Sequence, residues 1–329
     1  MAGTKQSGIM QQMLDGILIV DKPENMSSAR LVSKIKYLTR VKKAGHTGTL
    51  DPFATGLMIC CLNKATKLSG FFLNSNKTYE GTLELGKETD TQDSTGTVVS
   101  ISDKTEFDPE TIKSVFEKFI GPIKQMPPVY SALKHQGTPL YKLARKGKPF
   151  QKPERDVFIS NLDIMAVNLP EIKFCVSCSS GTYIRTLASD IGKELGCGAH
   201  LKQLRRTGCD KFTIQNAVSL EKIAEMADSG DINNQIISMS DALANLPYFQ
   251  ADKNLTEKIM YGRTIFHNDI NLCPEDSPEG SPGESPGESN DNYLRVVDKH
   301  NRLLSILSHK KNSDSYNYCC VFINNMDNI

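Results

Sequence analysis

Gly45-His46-Thr47-Gly48-Thr49-Leu50-Asp51-Pro52-Phe53-Ala54-Thr55-Gly56 packs three glycines into twelve residues. That density implies sharp turns and close backbone approach. Pro52 disfavours the helical region for the residue before it, so the Asp51 carboxylate stands on an extended or bent segment and not within a helix. An Asp-Pro step ordinarily does no more than start a turn. The stretch alone leaves that reading open beside a chemical role for Asp51. Two nucleotide-binding loops are excluded: no Gly-Lys-Ser/Thr closes the segment, and its glycines lack the dinucleotide spacing.

Working outward, Ile17–Val20 is a β-branched run ended by Asp21-Lys22-Pro23, a strand leaving into a loop. Ser27–Thr39 repeats Leu31, Val32, Ile35 and Leu38 at helical spacing behind Ser27 or Ser28 as N-cap, with Lys34 and Lys36 on the other side. Downstream, Thr78–Leu85 alternates as a strand and Val98–Ile101 is a second candidate. Asp108-Pro109-Glu110 opens a helix whose stripe is Ile112, Val115, Phe116 and Phe119, with Gly121 as its stop. Lys173–Ser177 is a strand, and Gly181–Leu195 is a turn into a helix. Strands and helices mix without strict βαβ alternation, which predicts an α+β fold and not a doubly wound sheet. Near the end, Arg263–Phe266, Tyr293–Val297, Leu303–Leu307 and Cys319–Ile323 are short strand-like pieces of a small β module.

A chain of 329 residues predicts about two domains. The longest uncharged apolar run, Gly56–Leu62, is far below the ~20 residues of a bilayer crossing. Met1–Asp15 lacks the pattern of a secretory leader, so a cytoplasmic protein is expected. The nine cysteines are an odd number and include two adjacent pairs, which suits reduced thiols better than a disulfide framework. Cys175-x-x-Cys178 has metal-knuckle spacing, but no second ligand pair follows and the alternation of 173–179 suits a strand; no metal is expected.

The net charge of +1 argues against a nucleic-acid partner only until it is divided by region. Residues 124–155 carry eight basic residues against the single acid Glu154, interleaved with Tyr130, His135 and Tyr141. Lys202, Arg205, Arg206 and Lys211 form a second basic cluster. Residues 273–292 carry six acids, no base and the repeat Ser-Pro-Gly-Glu, a composition that cannot bury enough to offset its chain entropy and is expected to be disordered. The basic stretch with its aromatics is therefore a nucleic-acid candidate despite the near-zero total.

Gly45–Gly56 resembles the motif of the TruB-type tRNA pseudouridine synthases. So do Asp21-Lys22-Pro23 with Ser27-Ser28, Lys77-Thr78-Tyr79-Glu80, Thr89-Asp90-Thr91, Pro127–Lys134, Gly181-Thr182-Tyr183-Ile184-Arg185, and Gly196–Leu201 with Leu204-Arg205-Arg206. These stand in the family's order across residues 15–215. The resemblance implies the pseudouridine synthase fold, with a central mixed, mostly antiparallel sheet flanked by helices and a small C-terminal PUA-like β module. The expected division is a flexible leader at 1–14, a catalytic domain at 15–247 and the module at 248–329.

It further implies isomerisation of the T-loop uridine at tRNA position 55, with the base flipped out and no cofactor. Asp51 would be the nucleophile and Arg185 its partner. Asp90 would be the acid that positions Arg185. Tyr79 would stack on the base and is a proposed base for the C5 proton. His46, Tyr183 and Leu204 would bind the substrate, and Lys67 would lie close to the pocket. The basic stretch falls where bacterial-type members carry an RNA-clamping thumb, so Lys134, Lys142, Arg145, Lys146, Arg205 and Arg206 are the expected RNA contacts. The T-arm stem-loop is the expected partner of a monomer that needs no other protein. Two alternatives stand beside this: a guide-RNA-dependent, dyskerin-type subunit, whose relatives lack the thumb, and a non-catalytic RNA-binding or tRNA-folding protein.

Overall fold

The structure, a computed structural model, describes residues 14–270, 293–309 and 313–323. The acidic insertion expected at 273–292 and all but Leu14 of the expected leader lie outside the described residues.

The chain opens with β1 (Gly16–Lys22), whose tail leads to α1 (Ser28–Thr39). Ser27 caps that helix by accepting the Arg30 N–H, and the expected stripe faces inward, with Leu31 and Ile35 fully buried. β2 (Ala44–His46) and β3 (Thr55–Leu62) flank the glycine-rich loop. The short α2 (Ser69–Leu73) precedes β4 (Lys77–Leu85), and β5 (Lys87–Thr89) pairs with β6 (Val98–Ile101). α3 (Pro109–Glu117) has Asp108 as N-cap and Pro109 at its first position. It stops four residues before Gly121, which instead begins β7 (Gly121–Gln125). The basic stretch then forms a hairpin, β8 (Lys134–His135) with β9 (Thr138–Pro139), and the single turn α4 (Leu140–Ala144). β10 (Arg155–Asn168), β11 (Glu171–Cys178), α5 (Ile184–Glu194) and β12 (Ala199–Cys209) follow, then β13 (Phe212–Thr213), β14 (Val218–Ser219) and α6 (Leu220–Ser229).

The main sheet runs β14-β1-β3-β12-β4-β11-β10-β7, with β2 beside β3 and β13 beside β12. β1–β14 and β3–β12 are parallel and the other pairs antiparallel, so the sheet is mixed and mostly antiparallel within an α+β fold. The uncharged run of β3 is explained by burial on both faces. Met58, Cys60 and Leu62 point to the core under the helices, where Leu18, Val20, Leu31 and Ile35 also sit. Leu57, Ile59 and Cys61 alternate to the other side. There they meet Val297, Leu303, Ile306 and Phe322 of a second, four-stranded sheet.

After α7 (Met239–Ala242), that sheet consists of β15 (Tyr248–Gln250), β16 (Tyr293–Val297), β17 (Leu303–His309) and β18 (Tyr316–Val321), with α8 (Lys253–Met260) between the first two. The strand expected at 263–266 does not form. Phe266 makes only an isolated bridge to Ser315, and its N–H is taken by the Asp269 carboxylate in a turn. Among the described residues no helix is long and apolar enough to cross a membrane. Cys175 and Cys178 lie on β11, three apart and so on opposite faces of the strand.

Candidate active site

The glycine-rich loop is held from below. Ser28 Oγ both donates to the Leu50 carbonyl and accepts the Leu50 N–H, each at 2.9 Å. Lys22 Nζ, fully buried, donates to the carbonyls of Pro23, Met26 and Pro52. Arg206 Nε donates to the Leu57 carbonyl at 2.6 Å, and its Nη2 to that of Gly48 at 3.3 Å. Gly56 is needed where the parallel β3 and β12 meet: its φ is +107°, and a Cβ would come within 2.2 Å of the Arg206 carbonyl oxygen. These anchors leave Asp51 at the floor of a cleft of about 380 Å³. Tyr79 of β4, Leu204 and Arg206 of β12, and Tyr183 and Arg185 at the start of α5 also line it. Ser131, Ala132 and Leu133 of the basic stretch form a further part of the wall.

Arg185 is the hub. Its Nε is 2.9 Å from Asp51 Oδ2. Nη1 donates to the Thr91 carbonyl at 2.7 Å and to Asp93 Oδ2 at 3.2 Å, and Nη2 donates to the Tyr130 carbonyl at 2.9 Å. Only 3% of the residue is exposed. All three guanidinium nitrogens are therefore engaged, and together they hold the Asp51 carboxylate beside the fork. Burial pushes the Asp51 carboxyl up from its ordinary value. Arg185 pulls it down, Asp93 adds to the rise and Lys22 opposes it, and the net direction stays upward.

The acid that positions Arg185 is Asp93, not Asp90. Asp90 faces the other way, accepting the Thr97 N–H and the Tyr130 hydroxyl. Asp93 is 4% exposed and also accepts from Thr91 Oγ1, Thr95 N and Thr95 Oγ1. Gln92 between them adopts a positive φ of 63°, and this turn sends the two carboxylates in different directions. Removing one member of a buried charged pair leaves the other uncompensated. Asp93→Ala is therefore expected to cost about 3–5 kcal/mol of stability, and Asp90→Ala, on a largely exposed pair of contacts, about 1 kcal/mol or less. Denaturant unfolding of the two variants checks the contrast, and equal losses would return Asp90 to the hub.

Tyr79 is 9% exposed, and burial pushes its hydroxyl up to about 12, with Arg206 pulling the other way. Tyr183 is clamped through its backbone: Gln125 Oε1 accepts its N–H at 2.9 Å and Gln125 Nε2 donates to its carbonyl at 3.2 Å. His46 ends β2 just outside the cleft lining, with Nδ1 accepting the Gly48 N–H at 3.4 Å. Burial and Arg206 lower its pKa, which suits the neutral ring this contact needs.

Lys67 is not at the cleft. Its Nζ donates to the Val321 carbonyl at 2.8 Å and lies over the Phe322 ring, so it ties the second sheet to the first. Of the expected RNA contacts, Lys134, Lys142, Arg145 and Lys146 are exposed on the basic stretch. Arg206 is 3% exposed and serves the loop from inside. Arg205 forms a two-point pair with Asp21, and Lys202 pairs with Glu84 and Glu171. Two of the four cations of the second basic cluster, Lys202 and Arg205, are thus paired with carboxylates within the protein.

Sequence reasoning gave no role to Lys22, whose ammonium burial pushes down to about 8 while Asp51 pulls it up. It also passed over Lys77, which lines the cleft and donates to the Leu73 carbonyl. Both stood in quoted motifs, and the signal was a lysine inside a strand. Among the described residues no three His, Cys, Asp or Glu side chains converge as a metal site.

Two family models match this chain: the N-terminal domain of TruB family pseudouridylate synthase over residues 36–184, and the C-terminal domain of tRNA pseudouridylate synthase B over 185–244. A protein named tRNA pseudouridine synthase B from Geobacter sulfurreducens is 41% identical over 257 residues, covering 78% of this chain and 84% of its own. A protein of the same name from Burkholderia pseudomallei is 39% identical over 296 residues, covering 90% and 93%. Among solved structures, a chain of a Cbf5-Nop10-Gar1 complex superposes with a TM-score of 0.70 at 22% identity, covering 94% of this chain and 86% of its own. At that identity the likeness carries the fold alone.

Proposed function

The chain belongs to the TruB family of pseudouridylate synthases, and from that premise we propose that it isomerises the T-loop uridine at position 55 of tRNA to pseudouridine. The observation that carries this reading is the Asp51 carboxylate on the cleft floor, 2.9 Å from an Arg185 whose other two nitrogens are both engaged. The uridine must leave the folded loop to reach it, at a cost of a few kcal/mol. Asp51 then adds to the nucleotide as a covalent nucleophile. The C1′–N1 bond breaks, the base turns, a C1′–C5 bond forms, and the bond to Asp51 breaks to regenerate the free carboxylate. The proton lost from C5 is balanced by the one gained at N1. The reaction is an isomerisation with no net transfer of electrons, so a redox cofactor has no task in it.

Tyr79 and Leu204 suit a planar base, and Tyr183 supplies a second aromatic wall. A hydroxyl pushed up to about 12 stays protonated at neutral pH, so stacking is the role assigned to Tyr79 ahead of proton abstraction. The exposed Lys134, Lys142, Arg145 and Lys146 would contact phosphates, which position RNA and make binding salt-dependent. Specificity would rest on T-loop shape and the flipped base. The four-stranded sheet after residue 248 is proposed as a separate PUA-like unit.

Purified protein alone is expected to convert the T-loop uridine of an unmodified tRNA transcript, read by chemical mapping of pseudouridine. Conversion only when a guide ribonucleoprotein is supplied would move the assignment to the dyskerin-type reading. Binding without conversion in either setting would move it to an RNA-folding protein.

A further inference from the structure

One cation of the cleft is not committed. Arg185 holds two carboxylates, while Arg206 and Lys77 hold backbone carbonyls. Arg155, which begins β10, lies with its guanidinium 4.6 Å over the Tyr183 ring and lines the same cleft. Among the described residues no carboxylate pairs with it, and its buried Nε has no hydrogen-bond partner. In the lining of the same cleft Ser131 Oγ, in a residue 4% exposed, is also buried without a partner.

The local backbone is shaped around this guanidinium. Arg155 is the register partner of Gln125, whose side chain clamps the Tyr183 backbone. Gly181 has φ +88°, and a Cβ there would come to 3.4 Å of the guanidinium. A cation that lines a cleft without a carboxylate partner calls for an explanation, and an anionic cleft ligand is one.

The chemistry of the ligand follows from the donor. A guanidinium has five N–H groups and no acceptor, so it takes an anion, and its planar fork matches phosphate in two-point fashion. Stacking one face on Tyr183 leaves the Nη1 and Nη2 edge, which makes no hydrogen bond among the described residues, to meet that anion. If the cleft receives a flipped nucleotide, as proposed above and on which this step rests, the anion that enters with it is its own backbone. We propose that Arg155, seated on Tyr183, binds a phosphodiester flanking the flipped nucleotide, with Ser131 Oγ as a second donor, and so acts as a positioning residue for the reaction.

The test uses the full chain and a T-arm stem-loop RNA, unmodified or carrying a neutral methylphosphonate on the 5′ or the 3′ side of the target uridine. Affinity is measured across a salt series. Arg155→Gln is expected to weaken binding of the unmodified RNA roughly tenfold or more and to flatten the slope of log K against log salt by about 0.7. One of the two methylphosphonates should weaken wild-type binding alike and make Arg155→Gln silent. Arg155→Lys should restore the slope while recovering only part of the affinity. Equal loss for Arg155→Gln on all three RNAs with an unchanged slope would overturn the proposal in favour of a contact to the base. A fall in kcat with KM and slope unchanged would overturn it in favour of simple support for Tyr183. A failed functional reading looks different: the wild type would convert none of the unmodified RNA, whereas a failed phosphate contact leaves wild-type conversion intact.

Discussion

Asp51→Asn is expected to lower conversion of a tRNA transcript by at least about 10⁴-fold while leaving tRNA affinity within a few-fold of wild type. The scale follows from nucleophile knock-outs in covalent enzymes. An amide keeps the shape of the carboxylate and can still face Arg185 Nε, so the hub and the phosphate contacts survive the change. What it loses is the anionic oxygen that adds to the nucleotide. The same assignment fixes a pH dependence. The nucleophile must be ionised, and burial raises its pKa above the ordinary value near ~4. The acid limb of kcat/KM should therefore have its midpoint above that value, with activity lost as pH falls through it. Substantial turnover by Asp51→Asn, or an acid limb below the ordinary carboxylate range, would sink the nucleophile assignment.

How far the sequence could be read depended on whether one element's own period was enough. The strand expected at 17–20 and the helix expected at 27–39 carry their signals locally, in β-branched residues and in a serine-capped apolar stripe, and they form at 16–22 and 28–39. The division of the near-zero net charge was half legible. The basic stretch at 124–155 does expose five of its six lysines, all but Lys152. The second cluster failed because Lys202, Arg205 and Arg206 sit on β12, a strand not recognised from the sequence. Had it been, the period of two would have placed Arg206 on the inward face with Leu204 and Arg205 on the opposite one, as their burial shows.

The choice between Asp90 and Asp93 was of another kind. Both lie in one turn of small polar residues, and both have a threonine or serine close by to hydrogen-bond. Which carboxylate turns inward depends on the positive φ at Gln92 and on the arrival of Arg185 from a helix over ninety positions away. No spacing rule reaches that far. Lys67 shows the same limit from the other side. Its destination is the carbonyl of Val321, fixed only when the second sheet docks.

Arg185→Lys should be strongly damaging, although less so than loss of the nucleophile and although it keeps the charge. The guanidinium makes four contacts with three nitrogens: Asp51, Asp93, the Thr91 carbonyl and the Tyr130 carbonyl. An ammonium is a single point with three donors, and it cannot span Asp51 on the cleft floor and Tyr130 at the start of the basic stretch together. Two consequences follow. The direction of the Asp51 carboxylate is no longer fixed, and a misplacement near 1 Å costs about 10²-fold in rate. Arg185 also lowers the Asp51 pKa both by its charge and by its contact, so weakening it should move the acid limb further upward. Together these predict a loss of roughly 10²–10³-fold in kcat with the acid limb displaced to higher pH. A variant within tenfold of wild type whose acid limb does not move would show that charge alone suffices, and that the geometry of the hub is not what orients the nucleophile.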